Sequence, residues 1–85
     1  MAKVTIYTTP ICPYCISAKR LLSKKGAAVE EINVMGKPET RAQMVAKAGG
    51  RTTVPQIWIG DAHVGGCDDL FALEAEGRLH GMLVA

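Results

Sequence analysis

No stretch of this sequence approaches the roughly 18 apolar residues of a membrane-spanning helix, and its opening, MAKVTIYTT, lacks the hydrophobic core and cleavage site of a secretion signal. Neither a membrane role nor export is expected, and the expected compartment is the cytoplasm. Runs of like charge are also missing. Ten Lys and Arg stand scattered among eight Asp and Glu, for a net charge of +2, so nucleic acid is not an expected partner. Repeats, linkers and low-complexity segments are absent. Cysteine is sparse and odd in number, at three, whereas a secreted domain stapled by disulfides uses an even set. The cysteines are therefore expected to do chemistry.

What the chain does have is apolar content. Its 85 residues are 48% hydrophobic with no shift in composition along their length, which predicts one domain over residues 1–85. A monomer is expected. A domain of this size buries only roughly 60 to 65% of the surface its unfolded chain exposes. Nearly every strong apolar residue must join the core.

Lys3 to Thr8 is rich in β-branched and aromatic residues and too continuously apolar for a one-sided strand, so a central strand is expected. From Pro13 to Lys25, Cys15, Ala18, Leu21 and Leu22 recur at helical spacing, with Gly26 to terminate the helix. Ala28 to Val34 reads as a second strand. Pro38 to Ala48 reads as a second helix with Arg41, Met44, Val45 and Ala48 on one stripe, closed by Gly49-Gly50. Gln56 to Ile59 and Ala62 to Gly65 form a hairpin around Gly60-Asp61. Asp68 and Asp69 open a third helix carrying Leu70, Phe71, Leu73 and Ala75, with Gly77 as its stop and a short apolar tail beyond. The order β-α-β-α-β-β-α is an α/β architecture: a parallel unit with a right-handed crossover, and a hairpin added to the same sheet.

The stretch TTPICPYCISAKR places Cys12 and Cys15 at the junction of the first strand and first helix. Taken bare, such a pair is compatible with redox use, half a zinc site or two core thiols. Zinc needs two more ligands, and His63 and His80 stand far wider apart than the usual finger spacing of about three to five, so no metal is expected. Position favours redox use. Cys12 falls at the N-cap and Pro13 at the first helical position, where its missing N–H costs nothing. Unsatisfied amides and the helix dipole favour a negative sulfur there, so Cys12 is expected to ionise well below the free-cysteine value of about 8.5. A lower pKa gains Cys12 little as an attacker, because the larger thiolate fraction is offset by weaker nucleophilicity. The gain comes when it leaves a mixed disulfide. Cys15, one turn inside, is expected to stay more protonated and to act as the resolving thiol.

CPYC followed by RTTVPQIWI and then GGCDDL resembles the glutaredoxins, specifically the bacterial dithiol kind, and the resemblance runs from Lys3 to about Leu73. It implies a thioredoxin-like fold, a four-stranded mixed sheet flanked by three helices. It also implies a glutathione-dependent thiol-disulfide oxidoreductase with no tightly bound cofactor, using glutathione as co-substrate and acting on disulfide-containing or glutathionylated proteins. By this likeness Cys12 takes the glutathionyl group and Cys15 serves the two-thiol route. Thr53, Val54 and Pro55 match the segment that pairs its backbone with glutathione, Pro55 being the family's cis proline. Gly66, Cys67 and Asp68 match the turn that holds the γ-glutamyl end, and Tyr14 matches the aromatic lining the groove. Cys67 is expected to act through backbone, not as a third redox centre. The chain departs from the family at Thr9, where many members carry a lysine, and Arg41 and Arg51 are the candidates to replace its charge. His63, His80 and Trp58 are expected to serve packing or surface. Two other readings share the fold: an electron donor served by thioredoxin reductase, and an iron-sulfur carrier. TVP followed by GGCDD favours the glutathione-dependent enzyme over the first, and Pro13 resembles the members that carry no cluster.

Overall fold

The computed structural model describes residues 2–85. Strand β1 (Lys3–Thr8) leads to helix α1 (Pro13–Lys24), β2 (Ala28–Asn33), α2 (Pro38–Lys47), the hairpin β3 (Gln56–Ile59) and β4 (Ala62–Gly65), α3 (Cys67–Ala75) and α4 (Leu79–Val84). The strands stand in the order β2-β1-β3-β4, with β1 parallel to β2 and antiparallel to β3, and β3 antiparallel to β4. A parallel neighbour needs a crossover, which α1 supplies, whereas the hairpin needs only Gly60-Asp61. This is the mixed sheet expected from the element order.

Strand β1 is internal, and alternation along it feeds two cores. Val4 and Ile6 pack with Ala18, Leu22, Ile57 and Leu70 on the face covered by α1, α3 and α4. On the other face Tyr7 joins Val34, Trp58, Met44 of α2 and Ala48 at its C-cap. Fully burying a Leu or Ile contributes about 1.5 to 3 kcal/mol, so the wholly buried Ile6, Leu22, Ile57 and Leu70 form the foundation under the Cys12 loop. Thr8, at the end of β1, donates from its hydroxyl to Glu31 on β2 at 2.6 Å, and Lys19 on α1 reaches the same carboxylate at 3.1 Å. Strand end, edge strand and helix are thereby tied together just before the cysteine loop. Those two donors hold the Glu31 carboxyl below its usual value, the Thr8 bond first.

Two expectations are corrected. The apolar tail is a fourth helix, so four helices flank the sheet among the described residues. In α4 Leu79 and Leu83, one turn apart, are buried in the larger core, and the Leu83 carbonyl accepts from the Ala2 amide at 2.9 Å. Phe71 is not a core residue of α3. It is 43% exposed while Leu70 is fully buried. Helices α1 and α2 each end one residue earlier than expected, with Lys25 and Ala48 as their C-caps, and β2 ends at Asn33.

Candidate active site

Cys12 occupies the N-cap of α1 in extended backbone (φ −146°), with Pro13 at the first helical position. The cap is made by sulfur: the Cys15 amide donates to Cys12 Sγ at 3.1 Å. A helix amide that lacks an intrahelical acceptor is thus turned onto the sulfur, and the helix dipole adds to the same field. Cys12 is 8% exposed, and its Sγ–H donates to the Val54 carbonyl at 3.9 Å, which places the sulfur against the loop that precedes β3.

All three cysteines are thiols, but their surroundings differ. Burial, chiefly, pushes the Cys15 thiol up to about 12, assisted by its hydrogen bond with Cys12 and opposed by a bond to the Thr9 backbone. Cys67 is also raised, first by burial and then by the Asp68 and Cys12 charges. Both stay protonated at neutral pH, which leaves Cys12, at the helix end, as the sulfur placed to react.

Beside it lies an open cleft of about 340 Å³ lined by Tyr14, Arg51, Thr53, Val54, Pro55, Gly66, Cys67, Asp68 and Asp69. All seven residues expected to meet glutathione (Tyr14, Thr53, Val54, Pro55, Gly66, Cys67 and Asp68) border this one space. Three segments distant in sequence supply them: the first turn of α1, the loop before β3 and the turn into α3. The Val54-Pro55 peptide bond is cis. Tyr14 is 65% exposed, so its ring stands at the mouth of the cleft.

Asp69 was expected only as an acid at a helix start, and the geometry gives it more. Its Oδ2 accepts from the Gly66 amide at 2.8 Å and from Arg51 Nη1 at 3.1 Å. Gly66, the N-cap of α3, has no side chain to return the bond, so Asp69 alone supplies this cap. The Gly66 amide, then burial working the other way, then Arg51, leave the Asp69 carboxyl below its usual value. Gly65, at φ 114°, passes so close that an added Cβ would collide with Asp69 Oδ2 and Arg51 Nη1. The signal was available in the sequence: an acid three residues after a possible cap is half of a capping box.

The two arginine candidates separate. Arg51 lines the cleft, tethered to Asp69. Arg41 donates from Nη2 to the Thr52 carbonyl at 2.9 Å and braces the loop from α2. The aromatics away from the cleft pack together. Trp58 packs edge-on against Tyr7 at 5.4 Å, stacks on His63 at 4.6 Å and lies beneath Lys47 Nζ at 5.1 Å from its centroid.

A sulfur capping a helix, a second thiol one turn on and an open cleft beside them on a thioredoxin-like fold define a thiol-disulfide oxidoreductase. Its family follows from comparison with known proteins. The family model for glutaredoxin matches residues 4–64. Glutaredoxin from Pseudomonas aeruginosa is 61% identical over 85 residues, covering 100% of both chains. Glutaredoxin 3 from Escherichia coli is 53% identical over 83 residues, covering 98% of this chain and 99% of the relative. Among solved structures, the crystal structure of a buckwheat glutaredoxin-glutathione complex superposes with a TM-score of 0.89 at 28% identity, over 98% of this chain and 77% of that one. This chain belongs to the glutaredoxin family. No helix among the described residues is long and apolar enough to cross a membrane.

Proposed function

We propose that this glutaredoxin uses glutathione as co-substrate to reduce glutathione mixed disulfides and protein disulfides, in the manner of the bacterial dithiol kind, through Cys12 and Cys15. The observation that carries this reading is the Cys15 amide on Cys12 Sγ at 3.1 Å, at the edge of a cleft whose lining unites Thr53-Val54-Pro55 with Gly66-Cys67-Asp68. The buckwheat complex, of the same fold, supports glutathione as the occupant.

In the single-thiol route the Cys12 thiolate attacks the glutathione sulfur of a mixed disulfide. A new S–S bond forms at Cys12, the old one breaks, and the substrate leaves as a thiolate that takes up a proton. A second glutathione then attacks the glutathionyl sulfur, and Cys12 departs as a thiolate towards the α1 amides, giving oxidised glutathione. In the two-thiol route Cys12 attacks a protein disulfide, and Cys15, after losing its proton, attacks Cys12 Sγ to release the reduced protein and close the Cys12–Cys15 disulfide.

The cleft's polar groups suit the two ends of glutathione. Amides at the start of α3 suit the γ-glutamyl carboxylate and the Asp68 carboxylate suits its ammonium. Arg51, held by Asp69 beside the same turn, adds positive charge that suits a carboxylate of the ligand. The Val54 backbone suits pairing with the cysteinyl residue as an added strand would. A reducing compartment such as the cytoplasm suits this chemistry, since glutathione supplies the electrons there.

The test is steady-state reduction of a glutathionylated protein with glutathione as the only electron source. Wild type is expected to turn over and Asp68→Asn to require about tenfold more glutathionylated substrate, the loss of one charge-assisted hydrogen bond. Turnover only with a protein reductase in place of glutathione would contradict the reading.

A further inference from the structure

Gln56 begins β3 with its side chain completely buried, although a buried amide costs stability unless its donors and acceptor are met. Here both ends are met, the donor end by the loop before β3 and the acceptor end by β4. Gln56 Nε2 donates to the Thr53 carbonyl at 3.0 Å and approaches Thr53 Oγ1 at 3.3 Å. Gln56 Oε1 lies 2.8 Å from His63 Nε2. The Thr53 carbonyl can only accept, so it fixes Nε2 on its side and Oε1 on the side of His63, where the matching tautomer presents Nε2–H. A reversed amide would set its oxygen against the Thr53 carbonyl. His63 is itself held, opposite Trp58 in the β3–β4 ladder and stacked on its ring.

Thr53 lies in the stretch between α2 and β3, which has no helix or ladder of its own. Its neighbour Thr52 is pinned by Arg41, and Thr53 by Gln56. We propose that Gln56 is a positioning residue for glutathione recognition, held by His63. Its amide fixes the Thr53 peptide from the core side so that the Val54 backbone meets the cleft in one orientation. This rests on the glutathione reading of the cleft given above.

The geometry separates positioning from plain stability. A residue that only supports folding lowers the amount of active protein and hence kcat. One that aligns the cleft raises KM for the glutathionyl substrate with kcat retained. Using the mixed disulfide of glutathione and cysteine as the probe, Gln56→Met should raise KM about tenfold with kcat within about twofold, as expected for a carbonyl stripped of its donor. Gln56→Glu, which places an oxygen against that carbonyl, should be at least as impaired. His63→Phe preserves the stacking surface, removes the N–H and sits on an exposed strand where the fold tolerates it. It should raise KM about threefold and reports even if the Gln56 variants do not fold.

Asp68→Asn serves as the control on the underlying reading. If it raises KM while Gln56→Met and His63→Phe leave KM at the wild-type value, or lower kcat alone, the positioning role is overturned. If Asp68→Asn also leaves KM unchanged, the glutathione assignment of the cleft is what has failed.

Discussion

The amide of Cys15 donates to the sulfur of Cys12 at 3.1 Å, so the residue that supplies the second thiol also caps the first through its backbone. One turn of helix thereby divides two identical side chains into different roles. The outer sulfur faces the cleft loop and unsatisfied amides. The inner one is 1% exposed, in apolar surroundings, that keep it protonated.

Cys12→Ser should abolish both reduction of glutathione mixed disulfides and reduction of protein disulfides, because no other thiol stands at the helix end. Cys15→Ser should keep the first at about half of wild type or better and lose the second by at least about 100-fold, since the resolving step needs its sulfur. Paired assays on the two substrate types read the difference. Loss of both activities in Cys15→Ser would refute the division of labour.

The difference in thiol environment is visible to a small alkylating reagent. Burial pushes Cys15 up to about 12 and raises Cys67 as well, so brief treatment of the reduced protein with iodoacetamide at neutral pH should add one group, located at Cys12 by peptide mapping. Labelling of Cys15 should need strongly alkaline solution.

Asp69→Ala removes the acceptor from the Gly66 amide and the partner from Arg51, and should cost about 1 kcal/mol, the usual loss for a helix cap. Gly65→Ala should cost more, because its Cβ enters the space of Asp69 and Arg51 at a backbone angle of φ 114° that L side chains avoid. Denaturant melts of both variants check the order.

Stability should fall on acidification, in two stages. His63 is held below its ordinary value by burial and then by Arg51, so the fold favours its neutral form. That contribution is present above the unfolded value of about 6.5 and is lost as pH falls through the lower folded value. Asp69 and Glu31 are also held low. Their contributions are present above their unfolded values and vanish as pH falls through the folded ones. Melting temperature against pH should therefore begin to drop below about 6.5 and drop again in the carboxylate range, with His63→Phe lacking the first stage.

Leu79→Ala and Leu83→Ala should each cost about 2 to 5 kcal/mol, as for other buried leucines, whereas Val84→Ala, at the exposed end of α4, should stay within about 0.5 kcal/mol. Chemical melts decide whether the tail is part of the core.

The tail shows where sequence reading ran short. Leu79, Met82 and Leu83 have helical spacing, but six residues with Gly81 among them carry little local propensity. Only burial against the core, visible in three dimensions, makes them a helix. Phe71 failed for the opposite reason: its apolar character suggested burial, yet Leu70 already fills the inward position. The cysteine junction was legible, because a cap, Pro13 and helical periodicity are local signals. The Asp69-Gly66-Arg51 group was only partly so. The link from Gln56 to Thr53 and His63 was not, since it depends on which face of β3 points at α2 and on the pairing of Trp58 with His63.

The most direct measurement uses Cys15→Ser protein mixed with a glutathionylated substrate, quenched with acid and mapped by mass spectrometry. The account predicts a single glutathionyl group on Cys12, removed by added glutathione. A glutathionyl group found on Cys67 instead, or no adduct while turnover continues, would contradict it.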